Sequence, residues 1–119
     1  MKVEGEGTLL RIFVGESDRW QGRPLYEAIV ELVRERGLAG ATVLRGIEGF
    51  GATSRIHTTR ILRLSTDLPV VIELVDEPER IEEILPALDG MVGDGLITLE
   101  RVRVITYRGR QPGGDSAAD

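Results

Sequence analysis

Cysteine is absent from the 119 residues and histidine occurs once, at His57. Those two absences exclude a disulfide scaffold, a zinc ribbon, a thiol nucleophile and any multi-histidine metal site. Aromatic residues make up only 4% of the chain. An RNA-recognition sheet stacks bases on aromatics of its central strands, whereas the candidate central strand 69–75 has none and Phe13 stands alone. No apolar run approaches the ~18 residues of a membrane helix, and the opening MKVEGEG lacks the apolar core of a signal peptide. The expectation is therefore a soluble cytoplasmic protein that is not itself a membrane protein. Twenty acids against fifteen bases, formal charge −5, speak against general nucleic-acid binding. A length of 119 residues fits one domain with an ordinary core.

The charge is distributed unevenly. Residues 73–100 hold nine acids against the single Arg80. Arg45, Arg55, Arg60 and Arg63 lie together against Glu48, and Arg101, Arg103, Arg108 and Arg110 occupy a stretch without any acid. All of the cations but Lys2 are arginine, whose planar fork suits carboxylate and phosphate groups. A general preference for arginine on the surface explains the same counts, so both readings stand at this level.

Residues 1–7 read as a lead-in, 8–108 as the single domain and 109–119, rich in Gly, Pro, Ser and Asp, as a disordered tail. Between Thr8 and Val14 apolar residues alternate, with Leu10, Ile12 and Val14 on one face, the period of a half-buried strand. After a loop over 15–22, Pro24 opens a helix with Leu25, Ala28, Ile29, Leu32 and Val33 on one stripe, stopped by Gly37. A second strand is predicted over 41–47, and 56–64 reads as extended chain running out and back. Asp67-Leu68-Pro69 is a turn and 70–75 a nearly continuous apolar strand. Asp76 with Glu79 fits a capping box, Ile81, Ile84, Leu85 and Leu88 line a second helix, and Pro86 predicts a kink or division of it. The last strand is predicted over 97–107.

The order βαββαβ specifies an α+β fold of the ferredoxin-like split βαβ kind, a four-stranded antiparallel sheet with both helices on one face. An extended arm separates strands two and three. Leu9, Phe13, Val71, Glu73 and either Val43 or Leu44 cannot all face the helices. A face with that apolar content meets a partner or a second copy, unless it is simply left open to water.

Three features carry possible chemistry. Glu48-Gly49-Phe50-Gly51 closes the second strand. Two glycines around an aromatic either hold a flat ring against bare backbone or make a structural bulge. Gly90-Met91-Val92-Gly93-Asp94-Gly95 exposes consecutive backbone N–H groups of the kind that bind phosphate, although a tight helix-to-strand turn uses glycines in the same way. The third feature is the arginine-bearing stretches. His57, among Thr58, Thr59 and Ile61, has no carboxylate spaced to orient it, so it reads as a solvent-facing or packing residue rather than a general base. Asp89, Asp94 and Glu100 lack the regular spacing of a hard-cation site. No catalytic residue and no metal ligand is assigned.

In this order the glycine features resemble the PII signalling proteins: Gly49-Phe50-Gly51 with His57 six residues on, and GxxGDGxI at Gly90 to Ile97. The fuller pattern, from Arg23-Pro24-Leu25-Tyr26-Glu27 through Arg45-Gly46-Ile47-Glu48-Gly49-Phe50-Gly51 to Asp94-Gly95-Leu96-Ile97, looks like the PII-like family called domain of unknown function 190. The resemblance implies a homotrimer with sheets lining its centre and an effector, in PII a nucleotide, in the cleft between subunits. Carried onto this chain, Gly49, Phe50 and Gly51 would lie beside an adenine, and Gly90, Gly93, Asp94 and Gly95 would offer backbone to phosphates. The 52–68 arm, with Arg55, His57, Arg60 and Arg63, corresponds to the loop that docks PII onto transporters and enzymes. Family association with fluoride exporters makes such a channel a candidate partner.

The departures from PII are specific. Leu96 stands where PII has a phosphate-contacting lysine, Asp89 stands where a threonine opens the loop, and no tyrosine lies between Gly51 and Pro69. Arg103 and Arg108 are the candidates for the lost positive charge. The reading that results is a non-enzymatic regulatory protein binding an adenine nucleotide or another small anion, without metal. A ligand-independent trimeric adaptor and a small hydrolase of the effector are the alternatives.

Overall fold

A computed structural model describes residues 5–49 and 68–109. Its elements are β1 (Gly5–Gly15), β2 (Arg19–Trp20), β3 (Arg23–Pro24), α1 (Leu25–Glu35), β4 (Thr42–Arg45), β5 (Pro69–Asp76), α2 (Pro78–Met91) and β6 (Leu96–Val104). The main sheet has the order β4-β5-β1-β6 and every neighbouring pair is antiparallel. This is the expected split βαβ arrangement. The arm over 52–68, except Leu68, lies outside the described residues, as do the first four residues and 110–119.

Alternation along the two central strands determines what the core contains. Leu10, Ile12 and Val14 of β1 stand beside Leu74, Ile72 and Val70 of β5, and all six are buried. Leu25, Ile29 and Val33 of α1 and Ile81, Ile84 and Leu88 of α2 close over them in one apolar cluster. Each such side chain contributes about 1.5–3 kcal/mol on leaving water.

The intervening residues form the opposite face. The register places Leu44, Val71, Phe13 and Leu96 in one row across all four strands. The next row is Thr42, Glu73, Arg11 and Thr98, followed by Val75, Leu9 and Glu100. Leu44 is therefore the residue on the open face, at 47% exposure, while Val43 lies opposite buried Ile72 on the helix side. Leu96 is 54% exposed.

Several elements differ from the sequence expectation. The loop over 15–22 contains half of a small hairpin, β2–β3, turned by Gln21 and Gly22, both with positive φ. Two consecutive positive φ values are the mirror-image turn that matches strand twist. The Arg19 guanidinium donates to the Gly22 carbonyl at 2.6 Å, and Leu25 N–H donates to the Asp18 carbonyl at 2.8 Å. Pro24 ends that hairpin and is the N-cap, so α1 begins at Leu25. Strand β4 is shorter than 41–47, and β6 ends at Val104, which pairs with Gly5, rather than at 107. Helix α2 runs through Pro86 undivided. Pro86 and Glu82 are both exposed, so water can take the carbonyl that Pro86 leaves without a helical donor.

The capping box is also corrected. Glu77 is the N-cap of α2 and makes no side-chain cap bond. Asp76, completely buried, instead accepts from the N–H of Glu77 and from the N–H of Ala39, each at 2.7 Å. Arg80 pairs with it at 3.2 Å and donates to the Gly37 carbonyl. One carboxylate thus joins the end of β5 to the turn after α1, where Gly37 has φ +75. Asp76→Ala leaves two backbone donors and a partly buried guanidinium without their acceptor. It should lower unfolding free energy by about 2–4 kcal/mol, measured by urea titration at fixed protein concentration, whereas Glu79→Ala should stay within about 0.5 kcal/mol.

Candidate functional site

Gly49 packs its α-carbon side against Pro69, the first residue of β5, where an added Cβ would meet the ring at 3.1 Å. Phe50 and Gly51 lie outside the described residues, as do Arg55, His57, Arg60 and Arg63. Gly90 belongs to the last turn of α2, and Gly93, Asp94 and Gly95 form the exposed bend before β6. Gly95 has a structural reason to be glycine: a Cβ there would stand 2.5 Å from the Phe13 carbonyl oxygen and 2.8 Å from the Val92 side chain. A Cβ at Gly93 meets nothing within 4 Å, so packing does not require glycine at that position.

Pro69 pairs with Gly15 and Leu96 with Phe13. Gly49 and the 93–95 bend therefore share one end of the sheet, the end where β1 finishes. With ~4.8 Å between strands, the three steps from β4 to β6 separate them by roughly 14 Å. Arg45 at this end is already paired with Glu16.

The arginines are elsewhere. Arg103 pairs in register with Glu6, near the start of β1, seven residues along β6 from Leu96. At about 3.4 Å per residue that is about 24 Å from the glycine bend. Arg108 follows Tyr107, whose hydroxyl donates to the Ala39 carbonyl at 3.0 Å, again at the far end. Within one chain, Arg103 and Arg108 do not supply positive charge to Gly93–Gly95. On one chain the glycine bend and these arginines stand at opposite ends of the sheet.

The far end also holds a cavity that sequence reasoning missed. It measures about 260 Å³ and is lined by Leu9, Ala39, Gly40, Ala41, Thr42, Glu73, Leu74, Val75 and Tyr107. Ala39 in its wall is held by Asp76 and Tyr107 through the bonds already described. The run Gly37-Leu38-Ala39-Gly40-Ala41, small residues leaving room beside a strand, was the available signal.

Between the two ends, on the open face, Arg11 donates to Glu73 at 2.9 Å and to Glu100 at 3.3 Å. The hydrogen bond to Glu73, opposed in part by burial and reinforced by the charges of Glu73 and Glu100, raises the Arg11 pKa above its ordinary value. The guanidinium is a permanent charge between the apolar row through Phe13 and the row Val75, Leu9 and Glu100. Among the described residues no three acidic or histidine side chains converge as a metal site, and no helix is long and apolar enough to cross a membrane.

Comparison with known proteins agrees with this architecture. Residues 7–104 match the family model of DUF190, described as "Uncharacterized ACR". A UPF0166 protein of Aquifex aeolicus is 46% identical over 97 residues, covering 82% of this chain and 91% of that protein. Another, from Methanocaldococcus jannaschii, is 37% identical over 102 residues, covering 85% and 92%. Among solved structures, the nitrogen regulatory PII-like protein CPII of Thiomonas intermedia, bound to ADP, AMP and bicarbonate, superposes with a TM-score of 0.62. Its identity is 13%, over 87% of this chain and 97% of that one. A PII-like signalling protein of Thermus thermophilus gives 0.59 at 19% identity, over 87% and 94%. The fold is that of the PII-like proteins, and the chain belongs to the DUF190 family.

Proposed function

We propose that this protein is a trimeric, non-enzymatic PII-like regulator that binds a small anion, an adenine nucleotide or bicarbonate being the leading candidates, between neighbouring subunits. The observation that carries the reading is the separation of the two half-sites. Backbone donors of the 93–95 bend and the positive charge of Arg103 and Arg108 stand about 24 Å apart on one chain. An assembly that sets one end of a sheet against the opposite end of the next brings them together in a single cleft. The open face supports such an assembly, since the row Leu44, Val71, Phe13 and Leu96 is apolar across four strands. A similar fold holding ADP, AMP and bicarbonate in CPII gives the ligand class.

Binding would act on the arm over 52–68, which follows directly from the Gly49 half-site, and through it on docking to a transporter or enzyme. The ligand must favour one arm state over another by differential affinity. A second reading, a trimeric adaptor without ligand, is favoured by the acidic character of the glycine bend: Asp89 and Asp94 are exposed there and Leu96 brings no charge.

Three measurements test these readings. Light scattering should give three times the chain mass, and Phe13→Glu, in the middle of the apolar row, should reduce it to one; a wild-type monomer overturns both readings. A thermal-shift screen of adenine nucleotides, cyclic nucleotides, bicarbonate and fluoride should show one compound stabilising the trimer, by about 2.7 kcal/mol at a hundredfold excess over Kd. Absence of any shift at millimolar levels favours the adaptor. Gly93→Val, which has open space for its side chain, should abolish that shift and keep the trimer mass, whereas Gly95→Ala should destabilise the fold itself.

A further inference from the structure

A groove of about 470 Å³ runs between α1 and α2 on the side away from the sheet. Ala28 and Leu32 of α1 and Ala87 and Met91 of α2 line it, and the β2–β3 hairpin closes one end with half-buried Trp20. The hairpin is fixed in that position by its own turn and by the ion pair of Arg23 with Glu31 at 2.6 Å. A preformed apolar groove between packed elements is the geometry that accepts side chains of another segment.

The charge around it is mostly negative. Glu31 and Glu35 stand on the lining, with Glu27 one turn earlier on the same helix stripe. Glu79, Glu82, Glu83 and Asp89 are exposed on α2. Against these, Arg23 is paired with Glu31, Arg80 is turned onto Asp76 and the Gly37 carbonyl, and Arg34 and Arg36 at the end of α1 are exposed outside the lining. Glu35, on the lining, makes no ion pair among the described residues. Such a rim repels nucleotides, nucleic acid and anionic lipid, and attracts cations.

We propose that this groove docks a short basic and apolar segment of a partner protein, in which one or two bulky aliphatic or aromatic side chains enter between α1 and α2 while flanking lysines or arginines meet Glu35 and Glu27. The groove shares Gly90 with the glycine segment but is not lined by Gly93, Asp94, Gly95, Arg103 or Arg108. It lies on the helix layer, which remains outward when the sheets face one another, and it is equally open in a single chain.

Trp20 is the chain's only tryptophan and reports on the groove directly. The purified protein is titrated with the acetylated peptide Lys-Lys-Leu-Phe-Lys-Lys-Leu-Arg while its emission is followed. The expected result is a saturable change with a dissociation constant below about 1 mM, weakening several-fold as salt rises from about 0.05 to 0.3 M. Glu35→Lys should weaken binding about fivefold, and Ala87→Lys, which fills and charges the groove, should abolish it. Both variants should keep the wild-type circular dichroism and light-scattering mass, and Asp89→Lys, outside the lining, should change the affinity less than Glu35→Lys. Three results would overturn the proposal: no emission change up to about 1 mM peptide, equal binding when Leu and Phe are replaced by Ser, or equal binding when the basic residues are replaced by Glu.

Discussion

Side chains of a strand point alternately to its two faces, and in this protein that geometric rule divides β1 and β5 between two separate tasks. Every second residue, from Leu10 to Val14 and from Val70 to Leu74, enters the cluster beneath α1 and α2. The residues between them, Leu9, Arg11, Phe13, Val71, Glu73 and Val75, are obliged to lie on the other face. Core and open face are therefore set together, and a slip of one residue in pairing would exchange them. The Arg11 ion pairs with Glu73 and Glu100 reinforce the register, because they require three strands to be in step.

This division explains what was legible in the sequence. The period of two in β1 and the helical stripes of α1 and α2 are local patterns, and the architecture follows from them. Val43 and Leu44 could not be distinguished because β4 has only four residues and carries an apolar residue toward each face. The β2–β3 hairpin was missed because its turn is Gln21-Gly22 rather than the familiar Asn-Gly or Asp-Gly. Asp76 was misread for a different reason. Its spacing to Glu79 satisfies a capping pattern, yet its carboxylate is occupied by Ala39, 37 residues distant. Contacts that depend on which elements become neighbours leave no spacing to detect.

The candidate site shows the same limit more sharply. Glycine in a loop announces itself, but the reason for each glycine is a matter of surroundings. Gly95 is small because the Phe13 carbonyl lies against it, whereas Gly93 faces open space. Only the second is free to be explained by a ligand. Likewise, Arg103 follows the glycine bend closely along the chain, yet the extended strand between them carries it to the other end of the sheet.

That extension bears on whether an acidic chain is compatible with the anion site proposed above. A site's affinity follows its own lining charges and not the total. Here the helix layer carries seven of the chain's twenty acids, Glu27, Glu31, Glu35, Glu79, Glu82, Glu83 and Asp89, against Arg34 and Arg80, while Arg101, Arg103 and Arg108 lie at one end of the sheet. The two regions face different directions and are screened from each other over a Debye length of about 8–10 Å. Anion binding at a sheet end and cation attraction along the helices are then compatible in one small domain. The fold separates them because the helices cover only one face, which leaves the sheet ends and the open face to be used independently of the outer surface.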